Sequence, residues 1–293
     1  TPKLFENDLI YLAKNFNLIT HDELAAHIID SRKLKPKSLI LTFDDGFSEC
    51  YSVVRPLLLK HSVPCTFFIP TDFIDNRGMS SDLKASLCIE KLETLINSQL
   101  TTIIRTINDE FSKEFSNGKE LREWLKSLAE NELGFVDEIC ELLDIDVNHY
   151  LVSNRPYMST QEIKQLAVDG FTIGAHSTGH QKLNKLTDDE IEENITSSCE
   201  VIASITGKSQ IPFAFPHSAD GVSRELLQEI RNRHHGAGLF FNTNGIHQDT
   251  NIIISRLCGD SPRNAKVNKS NLDIFITKAY LDEASVQIYY LLQ

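Results

Sequence analysis

Long apolar runs are missing from this sequence: nowhere does it offer the roughly 18–20 consecutive apolar residues that an α-helix needs to cross a bilayer. Positive charge is scarce as well. Lys and Arg number 29 against 41 Asp and Glu, a formal net charge of −12, which is the wrong sign for neutralising phosphates. Nucleic acid and anionic membrane surfaces are therefore set aside as partners. The cysteines Cys50, Cys65, Cys88, Cys140, Cys199 and Cys258 include no C-x-x-C pair, so no zinc knuckle or dithiol motif is indicated, and they read as reduced core residues. Internal repeats and low-complexity segments are absent too, which excludes solenoid and fibrous classes. The first residues, Thr1-Pro2-Lys3-Leu4-Phe5, form no signal-peptide-like apolar stretch, and the compartment stays open between cytoplasm and cell envelope.

What is present is an ordinary globular composition over 293 residues, 41% hydrophobic and 24% charged, enough for one large α/β barrel or two domains. The run Ser38–Phe43, SLILTF, ends in Asp44-Asp45-Gly46 and reads as a buried strand. A helix over Cys50–His61 and a second apolar run, Pro64–Ile69, complete a βαβ unit with a parallel sheet. Capping boxes at Ser159/Glu162 and Thr187/Glu190 open two further helices, with strands expected at Phe171–Gly174, Ile211–Phe215, Gly238–Phe241 and Asn251–Ser255. Residues 1–37 read as two short helices packing on the barrel, and residues 38–293 as the main domain. Between about 80 and 153 the pattern changes to helical apolar spacing with few strand signals, predicting a helical insertion. Residues 84–150 carry over half of the net negative charge, as a solvated helical surface does, or a lid.

Two clusters carry chemistry. A D-G dipeptide by itself marks a turn, but Asp44-Asp45-Gly46 follows a buried strand, and ligands of parallel α/β folds bind at the carboxyl ends of strands. Two adjacent carboxylates there repel unless compensated; one on a metal and one acting as base would resolve the conflict. His176 and His180, in His176-Ser177-Thr178-Gly179-His180, also follow a strand. A four-residue spacing puts two imidazoles on one side of a helical turn, although paired surface histidines share that pattern. Asp45, His176 and His180 together would give two nitrogens and one oxygen with open positions, as catalytic zinc requires.

The run Leu41-Thr42-Phe43-Asp44-Asp45-Gly46, with His176-Ser177-x-x-His180 downstream, resembles the polysaccharide deacetylase (NodB homology) family, carbohydrate esterase family 4. The resemblance extends through Pro64–Phe68 and through Phe213-Ala214-Phe215-Pro216 to Ser255-Arg256. It implies a distorted (β/α) barrel of about seven parallel strands and a divalent metal, usually Zn2+. It also implies that Asp44 is the general base, that Asp45, His176 and His180 hold the metal, and that the backbone N–H of His217 faces the oxyanion. The expected function is removal of N-acetyl groups from amino sugars of a polysaccharide or sugar conjugate. The alternatives are a catalytically weakened glycan-binding protein on the same fold, or an O-acetyl esterase or other amidase. Two departures stand out. The Arg of the family's third motif is replaced by Ala214, leaving Arg256 as a candidate brace for Asp44 or a plain strand-end Arg. The late Leu-x-His that would supply the general acid is not visible, leaving His217 or His247 as candidates beside the reading of ordinary loop histidines.

Overall fold

Thr1 opens the first helix by accepting the Leu4 N–H on its side chain, and Pro2 occupies a first-turn position where its missing N–H is no loss, giving α1 (Pro2–Asn15). The computed structural model describes residues 1–131, 133–246, 249–259, 272 and 276–280, and the side chains of these outside 128–133. After β1 (Asn17–Leu18), Thr20 and Glu23 cap α2 (His21–Asp30) reciprocally.

The run expected as one strand, Ser38–Phe43, is divided. Its start, β2 (Ser38–Leu39), pairs in parallel with β1, while its end, β3 (Thr42–Phe43), pairs with β4 (Thr66–Ile69). The expected helix after it begins instead as a widened π turn, Cys50–Val54, before α3 (Arg55–His61). Pro56 accounts for this: it has no N–H to donate to Ser52, and the Arg55 N–H reaches back to Cys50.

The chain divides into two units. Asp75–Pro156 form one of them, built from α4 (Ser81–Thr94), α5 (Asn97–Phe111), α6 (Gly118–Asn131), α7 (Leu133–Leu142) and α8 (Val147–Asn154). It has its own core, in which Cys88 and Leu92 of α4 meet Leu121 and Leu125 of α6 and Ile139 and Cys140 of α7.

The other unit comprises the residues up to Ile74 and from Tyr157 onward. Here α9 (Thr160–Val168) leads to β5 (Thr172–Ala175), α10 (Asp188–Thr206) to β6 (Ile211–Ala214), and α11 (Arg224–Arg233) to β7 (Ala237–Asn242), followed by β8 (Ile253–Ser255). The sheet among the described residues has six parallel strands in the order β3-β4-β5-β6-β7-β8. All six strands expected from the residue pattern contribute to it, the first through its end Thr42–Phe43, and the seventh that the family resemblance implied is not among the described residues. Strand periodicity sorts the two faces. Phe67, Ile69, Ile173, Phe213 and Phe240 pack with Leu58, Ile163, Leu166, Ile195 and Leu227 of the helices. Phe68, Ala214 and Phe241 point the other way, onto Leu24, Ala25 and Ile28 of α2. Each large side chain so buried contributes about 1.5–3 kcal/mol. Gly174 is required in β5, since a Cβ there would lie 2.5 Å from the Phe68 ring and 2.6 Å from the Pro212 carbonyl. Five cysteines are buried as expected, but Cys258 is exposed.

Candidate functional site

At the carboxyl end of β3 the chain reverses in a three-residue turn closed by the Gly46 N–H donating to the Asp44 carbonyl at 3.0 Å. Asp45 sits at φ 70° and Gly46 at φ 66°, backbone conformations that strain a residue with a side chain. The turn sends the two adjacent carboxylates in different directions. Asp44 receives both terminal nitrogens of Arg256, each at 2.8 Å, in a two-point pair. Arg256 also donates to Thr42 Oγ1 at 2.8 Å, and its guanidinium lies 5.1 Å from the Phe68 ring centre and 5.8 Å from that of Phe241. Since Arg256 follows β8 and Asp44 follows β3, this pair joins the ends of the first and last strands, which requires the sheet to curl.

Asp45 turns instead to the histidines: its Oδ1 lies 3.4 Å from His176 Nε2 and 3.0 Å from His180 Nε2. Burial pushes the Asp45 carboxyl up, but hydrogen bonds and charge from the two imidazoles outweigh it and hold the group well below the usual carboxylate range.

The His176–His180 segment is not the helical turn that its spacing suggested. Ser177 and His180 have φ of 64° and 58°, and the segment extends the β4–β5 ladder. His176 N–H donates to Ile69 O, Thr71 N–H to Ser177 O and Asp72 N–H to Thr178 O, at 3.0–3.2 Å. The imidazoles converge because the loop closes on itself, Ser177 Oγ accepting the His180 N–H at 2.9 Å. Their ring centres lie 5.0 Å apart. His176 Nδ1 faces the Ala214 carbonyl at 2.8 Å; a carbonyl only accepts, so Nδ1 donates there and Nε2 is the nitrogen turned toward Asp45 and left to ligate a metal.

The ligating atoms of Asp45, His176 and His180 all lie within 4.8 Å of one another. A set of two imidazole nitrogens and a carboxylate oxygen, with one imidazole oriented by the Ala214 carbonyl, fits a divalent metal ion.

Asn194 of α10 is a support that the sequence reading missed. Its amide donates to Thr178 Oγ1 at 3.0 Å and accepts the Thr178 N–H at 3.2 Å. A signal existed: Asn194 is a buried polar residue in the apolar stripe of Ile191, Ile195 and Ile202. Asn194→Leu is expected to lower stability by about 1–3 kcal/mol, because it strips the Thr178 N–H of its acceptor; urea unfolding measures this.

His217 follows β6 at φ 60°, with its ring centre 5.1 Å from that of His180. Its carbonyl accepts the Thr243 hydroxyl at 2.6 Å, while Asn242 Oδ1 accepts the N–H groups of Ala219 and Thr243. These two residues, which carry no motif, fix the backbone around His217. His247 lies outside the described residues.

The sequence profile of polysaccharide deacetylases matches residues 31–122 and 135–235. The chain belongs to the polysaccharide deacetylase family. This family member has the NodB-like α/β fold, shared with solved deacetylases at low identity. The Streptococcus pyogenes deacetylase PplD, solved in complex with acetate, is 14% identical, with 87% of this chain and 80% of that chain covered and a TM-score of 0.55. A de-N-acetylase from Aggregatibacter actinomycetemcomitans is 13% identical, with 90% and 87% covered and a TM-score of 0.52. No curated protein sequence matches the chain. Within this polysaccharide deacetylase, Ala214 offers no guanidinium, and the positive charge on Asp44 arrives from Arg256 on a different strand.

Proposed function

We propose that this deacetylase removes acetyl groups from the nitrogen of N-acetylated amino sugars in a glycan or sugar conjugate, with Asp44 as general base and Zn2+ held by Asp45, His176 and His180. The observation that carries the reading is the separation of the two carboxylates: Asp45 meets the imidazoles, and Asp44 is clamped by Arg256 while its Oδ2 stays 4.0 Å from His176 Nε2. A base placed next to the ligand set can take a proton from a water there. Zinc bound at that site would supply Lewis acidity, activating water and polarising the acetamide carbonyl.

The protein's own part in the reaction follows from its geometry. Asp44 accepts the proton as the water's oxygen adds to the acetamide carbon, and Arg256 keeps the carboxylate in one plane throughout. The His217 backbone N–H faces the developing oxyanion, its peptide held by Thr243 and Asn242. The His217 imidazole returns a proton to the departing amine, and acetate and a free amino sugar result. Support for the N-acetyl specificity comes from the relatives, one a de-N-acetylase and another solved with acetate.

Calorimetric titration of zinc into chelator-stripped protein tests the reading, together with acetate release from N-acetylglucosamine oligomers. One-to-one binding is expected in the parent and a roughly 100-fold weaker affinity in His180→Ala, from loss of one of three ligands. Absent zinc binding in the parent would refute the metal assignment. Zinc binding without acetate release would refute the N-acetyl glycan reading and favour another acyl substrate.

A further inference from the structure

Cys88 and Cys140 are both free and lie in the core of the helical unit, Cys88 fully buried and Cys140 2% exposed. They come from different helices, α4 and α7, 52 residues apart in sequence, and their sulfurs are 3.5 Å from each other. A disulfide requires about 2.05 Å between sulfurs, so the two must approach by roughly a further 1.5 Å for the bond to form. We propose that Cys88 and Cys140 form a modification site: a dithiol that a disulfide oxidant of the glutathione class converts into a cross-link between α4 and α7.

The environment assigns the order of attack. The contact with Cys140 and burial both push the Cys88 thiol up, while the same contact lowers Cys140. Cys140 is therefore the better nucleophile of the two, since the thiolate is the attacking form. The neighbouring ion pair adds little to this, because Asp137 pushes the Cys140 thiol up while Lys84, held by Asp137 at 2.5 Å, pushes it down.

The step balances without other reagents. The Cys140 thiolate attacks one sulfur of oxidised glutathione, breaking its S–S bond and releasing one glutathione, which takes a proton. Cys88 then loses its proton and attacks the Cys140 sulfur of the mixed disulfide, releasing the second glutathione. Two electrons pass from the cysteine pair to the oxidant, and two thiols become two glutathione thiols. Because both sulfurs are buried, the first attack proceeds through a local opening of α7 from α4, of the kind that hydrogen exchange detects in native proteins. The product closes a long loop inside the helical unit, and a cross-link of that span constrains the unfolded chain strongly.

The test treats the full chain with oxidised glutathione, once in native buffer and once in urea below its unfolding transition, until the exposed Cys258 has reacted completely. Non-reducing tryptic digestion then reads the outcome. The expected product is the peptide Ala85–Lys91 linked to Ser127–Lys164, since the Arg155-Pro156 bond resists trypsin, two hydrogens lighter than the sum of the free peptides, with a raised melting temperature for the oxidised protein. Cys140→Ala is expected to lose the linked peptide while Cys258 still reacts. If Cys88 and Cys140 stay reduced in both incubations, or end as separate glutathione adducts, the proposal is overturned.

Discussion

Asp44→Asn is expected to lower the kcat for acetate release from N-acetylglucosamine oligomers by about 10³–10⁴ while leaving zinc affinity within a few-fold of the parent. The substitution is nearly isosteric but removes the capacity to take a proton. It also replaces one acceptor oxygen facing Arg256 with an amide donor, so that one of the two 2.8 Å contacts becomes repulsive. The separation of effects is what makes the measurement informative. Asp45, not Asp44, lies closest to the two imidazoles, so a base at Asp44 can fail without emptying the ligand set. Zinc affinity falling in step with turnover would place Asp44 among the ligands. Turnover falling by less than tenfold would remove it from the role of base.

The parts of this site that were legible in the sequence are those tied to strand ends. SLILTF followed by Asp-Asp-Gly marks a strand and its mouth, although its residues are half-buried rather than buried, and the second cluster follows another apolar run; parallel α/β topology then brings such mouths to one edge of a sheet. The capping boxes at Ser159 and Thr187 were readable because the hydrogen bonds involved are local, spanning three residues. Where the sequence misled, non-local pairing decided. No periodicity distinguishes a single strand from one whose two halves serve different partners, as Ser38–Leu39 and Thr42–Phe43 do. The His-x-x-x-His spacing suggested a helical turn, yet the ladder from β4 imposed an extended path, and backbone at positive φ brought the rings together instead. Thr243 and Asn242 act through backbone groups near His217, and a contact of this kind leaves no trace in residue spacing.

Arg256→Leu is expected to cost both function and stability, and the two losses have different causes. The pair with Asp44 is two-pointed and mostly withdrawn from solvent, with the Arg256 side chain 9% exposed and that of Asp44 23%. Removing the cation leaves a carboxylate partly buried and uncompensated, which costs about 2–4 kcal/mol of folding free energy after allowance for the exposed fraction of Asp44. The double substitution Arg256→Leu with Asp44→Asn removes the stranded charge and is expected to recover most of that loss. Turnover behaves otherwise. Without the two hydrogen bonds the Asp44 carboxylate rotates freely, and a base displaced by about 1 Å loses roughly 10²-fold in rate. Arg256→Lys is expected to restore stability better than turnover, because an ammonium supplies the charge but not the planar two-point contact, nor the same stacking against Phe68 and Phe241. Chemical denaturation and steady-state acetate release on the four proteins decide the matter. Full activity in Arg256→Leu would mean that the guanidinium holds the curled sheet together at its first and last strands and has no part in orienting the base.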